Sequence, residues 1–254
     1  MSAIASARAL DAGAFDRAYD QVVLGNDFFE EPGYYRRYRD RYRRTLEYLC
    51  RLPLPSPARV LEVGGGQMAL LMTHLFGDQC TLADVNPAHA VAVEKFGLQH
   101  VTCDLLHDDL PARDEYDLVV ICEVIEHIPI PPHQVLEKMA RWLKPGGHLF
   151  LTTPNLYRLR NVVRLATGQE VFCNFFHPAR GQPIGHPLEY SAPQMRWQLE
   201  RAGLEVLYVD LVQLTNQGSL KLARLTRPLV APLLWARPLW RDNLVACARR
   251  PLGR

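Results

Sequence analysis

The sequence predicts an α/β protein: a doubly wound, mostly parallel sheet with helices on both faces and an antiparallel C-terminal edge strand. Three observations predict it. From Arg59 onward, short apolar runs alternate with segments of helical period. The first run ends in three consecutive glycines, Gly64, Gly65 and Gly66, ahead of a helical pattern. The last two apolar runs, Leu204 to Val212 and Asn243 to Ala248, stand back to back apart from an insertion, as antiparallel neighbours do.

In chain order, residues 1–57 read as an N-terminal helical cap and residues 58–254 as the catalytic domain. Tyr35, Tyr38, Tyr42, Leu46 and Leu49 recur at three- and four-residue steps, so 34–49 is an amphipathic helix. Arg36, Arg37, Arg39, Arg43 and Arg44 crowd its other side, which reads first as a solvated face. After a linker with Pro53, Pro55 and Pro57 come a strand at Arg59 to Val63, a helix at Gln67 to Phe76 and a strand at Gln79 to Ala83. Asn86 followed by Pro87 caps a helix running to about Phe96. Strands are expected at His100 to Cys103, Asp117 to Cys122 and His148 to Thr153, with a helix from about His133 to Leu143 before the last. Such repeated units build a parallel sheet covered on both faces. Ser191 to Gln194 is a capping box with Pro193 in the first turn, and Gly203 stops that helix. Residues 156–190 read as a lid and 213–241 as an insertion.

The chain has 254 residues, 48% of them hydrophobic, which suits one large core better than two. A formal net charge of +2 gives no reason to expect a nucleic-acid partner. The six cysteines are widely spaced and form no C-x-x-C pair, consistent with a reducing, cytoplasmic location. No stretch approaches the roughly 18 apolar residues of a transmembrane segment, and residues 1–20 lack the apolar core of a secretory signal.

The run Val60-Leu61-Glu62-Val63-Gly64-Gly65-Gly66-Gln67 is a buried strand, a glycine turn and a helix start, a place where backbone N–H groups meet a nucleotide-type ligand. Gly64, Gly66 and Ala69 also satisfy the dinucleotide pattern, with Asp84 about 20 residues on where a ribose-binding acid belongs. Glu62 argues for another ligand. A carboxylate at the strand exit repels a pyrophosphate and attracts an ammonium group. Asp84 and Asp104 then offer acceptors after two consecutive strands, for ribose hydroxyls and an adenine amino group.

Together the segments V-L-E-V-G-G-G (60–66), A-D-V-N-P (83–87), C-D-L (103–105), E-V-I-E-H-I-P (123–129), L-K-P-G-G (143–147) and T-T-P-N (152–155) resemble the class I S-adenosylmethionine-dependent methyltransferases. The branch they resemble in particular is that of the ubiquinone-biosynthesis O-methyltransferases. The resemblance covers Ala58 to Asn155 and implies a Rossmann-like sheet with S-adenosyl-L-methionine as cofactor. It implies Glu62, Gly64 and Gly66 at the methionine end, Asp84 at the ribose, and Asp104 with Leu105 at the adenine, with Gly65, Val85, Cys122 and Glu123 in the same cofactor-binding set. Met68 stands where the family usually has a third glycine.

Methyl transfer from a sulfonium is an in-line displacement governed by alignment in a water-poor pocket. A hydroxyl acceptor gains from a nearby base or metal, whereas a carboxylate or thiolate attacks unaided. The candidate catalytic residues are Glu123, Glu126 and His127, with His127 as first choice of base, and His186 from the lid. Relatives with the same E-x-x-E-H run include magnesium-binding enzymes, but a hydrogen-bond network accounts for these residues equally well, so magnesium is not established. Phe172, Phe175, Phe176, His177, Gly181, Gly185, His186 and Tyr190 suit a loop that closes over an acceptor. The apolar stretch Pro228 to Trp240 suits a cover or the face of a homodimer. The sequence therefore predicts methyl transfer to an oxygen or thiol of a small molecule. A nicotinamide-dependent oxidoreductase and a non-catalytic cofactor-binding partner remain the alternatives.

Overall fold

Seven strands form one sheet in the computed structural model, which describes residues 7–26, 32–172, 185–214 and 231–253. In chain order the elements are α1 (Ala12–Tyr19), α2 (Pro32–Leu49), β1 (Arg59–Val63), α3 (Gln67–Phe76), β2 (Gln79–Asp84), α4 (His89–Glu94), β3 (Gln99–Thr102) and β4 (Tyr116–Cys122). Then follow α5 (Pro132–Trp142), β5 (Leu143–Pro154), α6 (Leu159–Ala166), α7 (Ala192–Arg201), β6 (Glu205–Val212) and β7 (Asn243–Arg249). The strand order is β3-β2-β1-β4-β5-β7-β6. The first five strands pair in parallel, and β7 runs antiparallel between β5 and the outermost strand, β6.

Both faces of the central strands are buried, so hydrophobic residues run continuously along them and alternate in direction. Val60, Leu118, Val120, Phe150, Val245 and Cys247 join one cluster with Phe15 and Tyr19 of α1, Leu46 and Leu49 of α2, and Met68 to Met72 of α3. Their neighbours Leu61, Val119, Ile121, Leu149, Leu151, Leu244 and Ala246 join a second cluster with Val135, Leu136, Met139 and Trp142 of α5 and Met195 and Leu199 of α7. Arg8 ties the N-terminal segment down, its guanidinium bonded to the Asp78 carboxylate and to the Pro55 carbonyl.

Local signals account for most element ends. Asp11 caps α1 through the Ala14 amide, and Ser191 with Gln194 forms a complete capping box on α7. Gly77, with φ of 69°, closes α3. Two elements differ from expectation. Asn86 caps only a turn, its side chain accepting from the Ala88 amide, and regular helix begins at His89. β5 starts five residues before His148, because Leu143 already pairs with Tyr116 and a register shift absorbs the glycines at 146 and 147. In the expected lid, α6 occupies the first part, and Phe175, Phe176, His177 and Gly181 lie outside the described residues. The same holds for residues 215–230 of the insertion. Its last part is a short helix over 231–236, with Trp235 80% exposed, and a single 3-10 turn at Pro238–Trp240. Among the described residues no helix is long and apolar enough to cross a membrane.

Candidate active site

β1 and β4 lie side by side where the strand order reverses, which opens a crevice at their C-terminal ends. The glycine turn forms one wall. Gly64, Gly65 and Gly66 all have positive φ, and a Cβ on Gly64 would stand 2.6 Å from Val124 Cγ2. Two acids hold the turn from below. Glu62, 2% exposed, accepts hydrogen bonds from the amides of Met68 (3.3 Å) and Ala69 (2.6 Å), supplying the cap that α3 lacks in its own sequence. Burial pushes its pKa up to about 8 despite those bonds. Asp84 accepts from the amides of Gly65 (3.0 Å) and Asn86 (2.7 Å) and pairs with His89 Nδ1 at 3.1 Å. Burial works to raise the Asp84 pKa, but the bonds from His89 and the Asn86 amide outweigh it and the net shift is downward.

The opposite wall is the exit of β4. Glu123 leaves the strand with a φ of 56°. Its carboxylate accepts from Thr152 Oγ1 (2.8 Å), Asn243 Nδ2 (3.0 Å) and Arg41 Nη1 (3.4 Å). Arg41 comes from α2, stacked near the rings of Tyr34, Tyr38 and Tyr42. Burial opposes its charge, yet Glu123 and the surrounding tyrosines keep its pKa above the ordinary value. Arg41, Tyr42 and Thr45 thus roof a narrow cleft whose floor is Glu62, Gly64, Gly65, Gln67, Met68, Cys122, Glu123 and Thr152.

Glu126, His127 and His186 form a second cluster, with one candidate ligand atom from each lying within 4.8 Å of the others. Thr153 Oγ1 donates to Glu126 Oε2 at 3.0 Å, while the buried Glu126 Oε1 has no hydrogen-bond partner among the described residues. Burial and the nearby Glu123 hold the Glu126 pKa well above the ordinary carboxyl range. The rings of His127 and His186 meet edge to face with centroids 4.8 Å apart. His127 Nδ1 is 3.1 Å from the Gly185 carbonyl, and His186 Nδ1 is 3.0 Å from Glu189 Oε1. Glu189 is itself buried and bonded by Arg158 and by Asn161 Nδ2 at 2.6 Å. The Tyr190 hydroxyl, also buried and without a partner among the described residues, has its pKa pushed up to about 12 by burial and by Glu126.

The fold therefore brings Glu62, Gly64, Gly65, Cys122 and Glu123 into one cleft. Gly66 packs instead toward Leu82 and Val93 at the start of α3. Val85 is 63% exposed beyond Asp84, and Asp104 makes an Asx turn with the Leu106 amide next to the buried Leu105. Sequence reasoning missed Arg41, Thr152, Asn243 and Glu189. Arg41 had a signal: Tyr34, Tyr38, Arg41 and Thr45 fall at helical spacing on the buried side of α2. Of the arginines assigned to the solvated face, Arg36 and Arg37 are exposed. Arg39 pairs with Asp16 and Asp20, and Arg44 donates to the Gln213 carbonyl.

A family model described as a methyltransferase domain matches residues 34–209. A ubiquinone biosynthesis O-methyltransferase of Xanthomonas oryzae pv. oryzae is 39% identical over 119 residues, 43% of this chain and 48% of that protein. The chain thus spans about half the length of the curated relatives it matches. Among solved structures, a chain of a methyltransferase–activator complex from Haloferax volcanii superposes with a TM-score of 0.61 at 20% identity, over 96% of this chain and 100% of that one. The geranyl diphosphate C-methyltransferase of Streptomyces coelicolor, solved with Mg2+, geranyl diphosphate and S-adenosylhomocysteine, gives 0.55 at 12% identity, over 82% and 80%. Both likenesses concern the fold.

Proposed function

The chain belongs to the methyltransferase-domain family, among the class I S-adenosylmethionine-dependent enzymes, and on that footing we propose that it methylates a hydroxyl oxygen of a small molecule. The observation that carries the choice of acceptor is the cluster of Glu126, His127 and His186 beside the β4 wall of the cleft. A carboxylate or thiolate acceptor needs no such group, whereas a hydroxyl needs its proton taken or its pKa lowered. The O-methyltransferase names of the curated relatives point the same way.

The cleft fits the donor's methionine end. Gly64 and Gly65 let the backbone come close, Asp84 holds the turn rigid, and Arg41 and Glu62 place a cation and a carboxyl group where a zwitterion has opposite charges to meet. Arrival of an ammonium group favours the ionised form of Glu62. When bound, S-adenosylmethionine supplies an electrophilic methyl group on a sulfonium centre. The chain's residues do the rest: α2 excludes water from above, Glu123 fixes the cleft wall through Arg41, Thr152 and Asn243, and the imidazoles receive the acceptor's proton. Since Nδ1 of each ring faces an oxygen acceptor, the neutral tautomer carries its lone pair on Nε2.

The test is to incubate the purified chain with S-adenosylmethionine and separate panels of phenols and catechols, carboxylic acids and thiols, measuring S-adenosylhomocysteine formed. Turnover with a hydroxyl panel is expected. Turnover confined to carboxylates or thiols would move the acceptor class, and binding of the donor without turnover on any panel would favour a non-catalytic partner.

A further inference from the structure

We propose that Arg160 and Arg164 of α6 bind an oxyanion, a phosphate or carboxylate group carried by the acceptor, and so select acceptors that bear one. This rests on the hydroxyl-methylation reading and names a feature that its substrate must have.

α6 follows the C-terminal end of β5, on the edge of the sheet where the cleft opens. Arg160 and Arg164 stand four residues apart in that helix and share a face. Arg158, just ahead of them, is already engaged: its guanidinium holds the Glu189 carboxylate, which in turn meets His186. Among the described residues Arg160 and Arg164 make no ion pair and no side-chain hydrogen bond, and Arg164 Nε is buried without an acceptor. Two like charges one helical turn apart repel, and a guanidinium N–H taken out of water without an acceptor costs free energy. An anion bridging the pair removes both penalties. Burial and the charges of Arg158 and Arg164 pull the Arg160 pKa below its ordinary value, with Glu189 and Asp242 countering in part.

The chain offers little of its own to neutralise the pair. The expected lid, 171–188, and the stretch 211–241 contain neither Asp nor Glu, yet they carry Arg180, Lys221, Arg224, Arg227, Arg237 and Arg241. The acids that end these stretches have other partners. Glu189 is bonded by Arg158 and Asn161, and Asp242 by the Gln213 side chain. The same two acids tie the position to the acceptor. Their charges reach Arg160, and each belongs to the site: Glu189 holds His186, and Asp242 precedes Asn243, which donates to Glu123. An oxyanion on Arg160 therefore lies near the groups assigned to the acceptor hydroxyl.

The experiment titrates protein loaded with S-adenosylhomocysteine with inorganic phosphate, pyrophosphate and benzoate at constant ionic strength, by calorimetry, and measures S-adenosylhomocysteine binding on every variant as the check of folding. Saturable binding of one equivalent of at least one anion is expected. Arg160→Gln and Arg164→Gln should each weaken it about 10-fold or more, and Arg36→Gln, on the exposed side of α2, should leave it within about two-fold. Among hydroxyl acceptors that turn over, the α6 variants should raise KM for one bearing a phosphate or carboxylate and leave its kcat, and the KM of its neutral counterpart, within about two-fold. No saturable anion binding by protein that binds S-adenosylhomocysteine overturns the proposal, as does equal weakening in Arg36→Gln. Capture by phosphatidylglycerol vesicles that the α6 variants abolish, with none of the soluble anions bound, also overturns it and assigns the arginines to a lipid surface. Anion binding without turnover of any hydroxyl acceptor would strike the hydroxyl reading and leave the anion site standing. Failure of the unaltered protein to bind S-adenosylhomocysteine would strike the donor reading, and the same anion titration of the free protein then decides.

Discussion

Arg41 of α2 directs its guanidinium at Glu123, the residue that leaves β4 with a left-handed backbone, and the 3.4 Å contact joins two segments 82 residues apart. The pair ties the helical roof to the strand edge directly over the glycine turn. Because Thr152 and Asn243 already donate to Glu123, the guanidinium is not needed to satisfy that carboxylate alone. Its other terminal nitrogen, Nη2, donates to the Tyr34 hydroxyl at 2.6 Å, and the residue lines the cleft, where its charge is available to a ligand carboxylate.

Arg41→Met keeps the stem that packs on the tyrosines and removes the charge. Breaking a buried pair from one side costs about 3–5 kcal/mol when nothing else compensates; with two hydrogen bonds left on Glu123 the expected loss of stability is about 1–2 kcal/mol. S-Adenosylhomocysteine affinity should fall about 10-fold or more. Denaturant melts and calorimetry read the two effects separately. Unchanged affinity with reduced stability would show that Arg41 only fastens α2.

Gly64→Ala should lower stability by about 2–4 kcal/mol, from a φ of +80° and from overlap with the Val124 methyl. The two causes separate in a double-mutant cycle. Val124→Ala removes the overlap and leaves the backbone cost, so Gly64→Ala in that background should cost only about 1–2 kcal/mol. Equal costs in both backgrounds would mean that backbone strain is the whole effect.

The sheet was legible because burial on both faces writes itself as continuous apolar runs, as at Leu118 to Ile121, and because caps such as Ser191 and Gln194 are local. The cleft floor and its brace were legible too: Glu62 and Gly64, and Asp84 beneath the turn, sit at strand exits, and a strand exit is a sequence position. The roof and the residues that hold Glu123 and His186 in place were not. Arg41 looks like its neighbours Arg39 and Arg43 until helix phase assigns it inward, and Asn243 reaches Glu123 only because β7 inserts beside β5. Glu189 acts across a loop on a histidine three residues earlier, a spacing that carries no meaning until the chain turns back on α6.

Glu62 predicts a pH dependence of the ligand-free protein. Its folded pKa lies near 8 against an ordinary 4.5, so the native state holds a proton that the unfolded chain releases between those values. The stability contributed by the protonated form is therefore present below about pH 4.5 and lost as pH rises through about 8. Glu62→Gln should flatten that part of the stability profile while lowering affinity for the cationic donor at pH 8 and above. A profile that falls equally in the variant would assign the loss to another group.

Asp84 predicts the opposite sign in the same turn. Its folded pKa lies below 3.8, with burial outweighed by the bonds from His89 and the Asn86 amide, so its contribution is present above pH 3.8 and disappears as pH falls through the depressed value. Asp84→Asn keeps the shape but turns one acceptor oxygen into a donor facing the amide of Gly65 or of Asn86. The variant should be less stable than the unaltered protein at pH 7 by about 1–3 kcal/mol, and the gap should close toward pH 3. Donor affinity should fall about 10-fold or more, because Gly65 is held in place from Asp84 and the cleft floor moves with it. A gap that is constant from pH 7 to pH 3 would show that the amide bonds, and not the charge, make Asp84 worth keeping there.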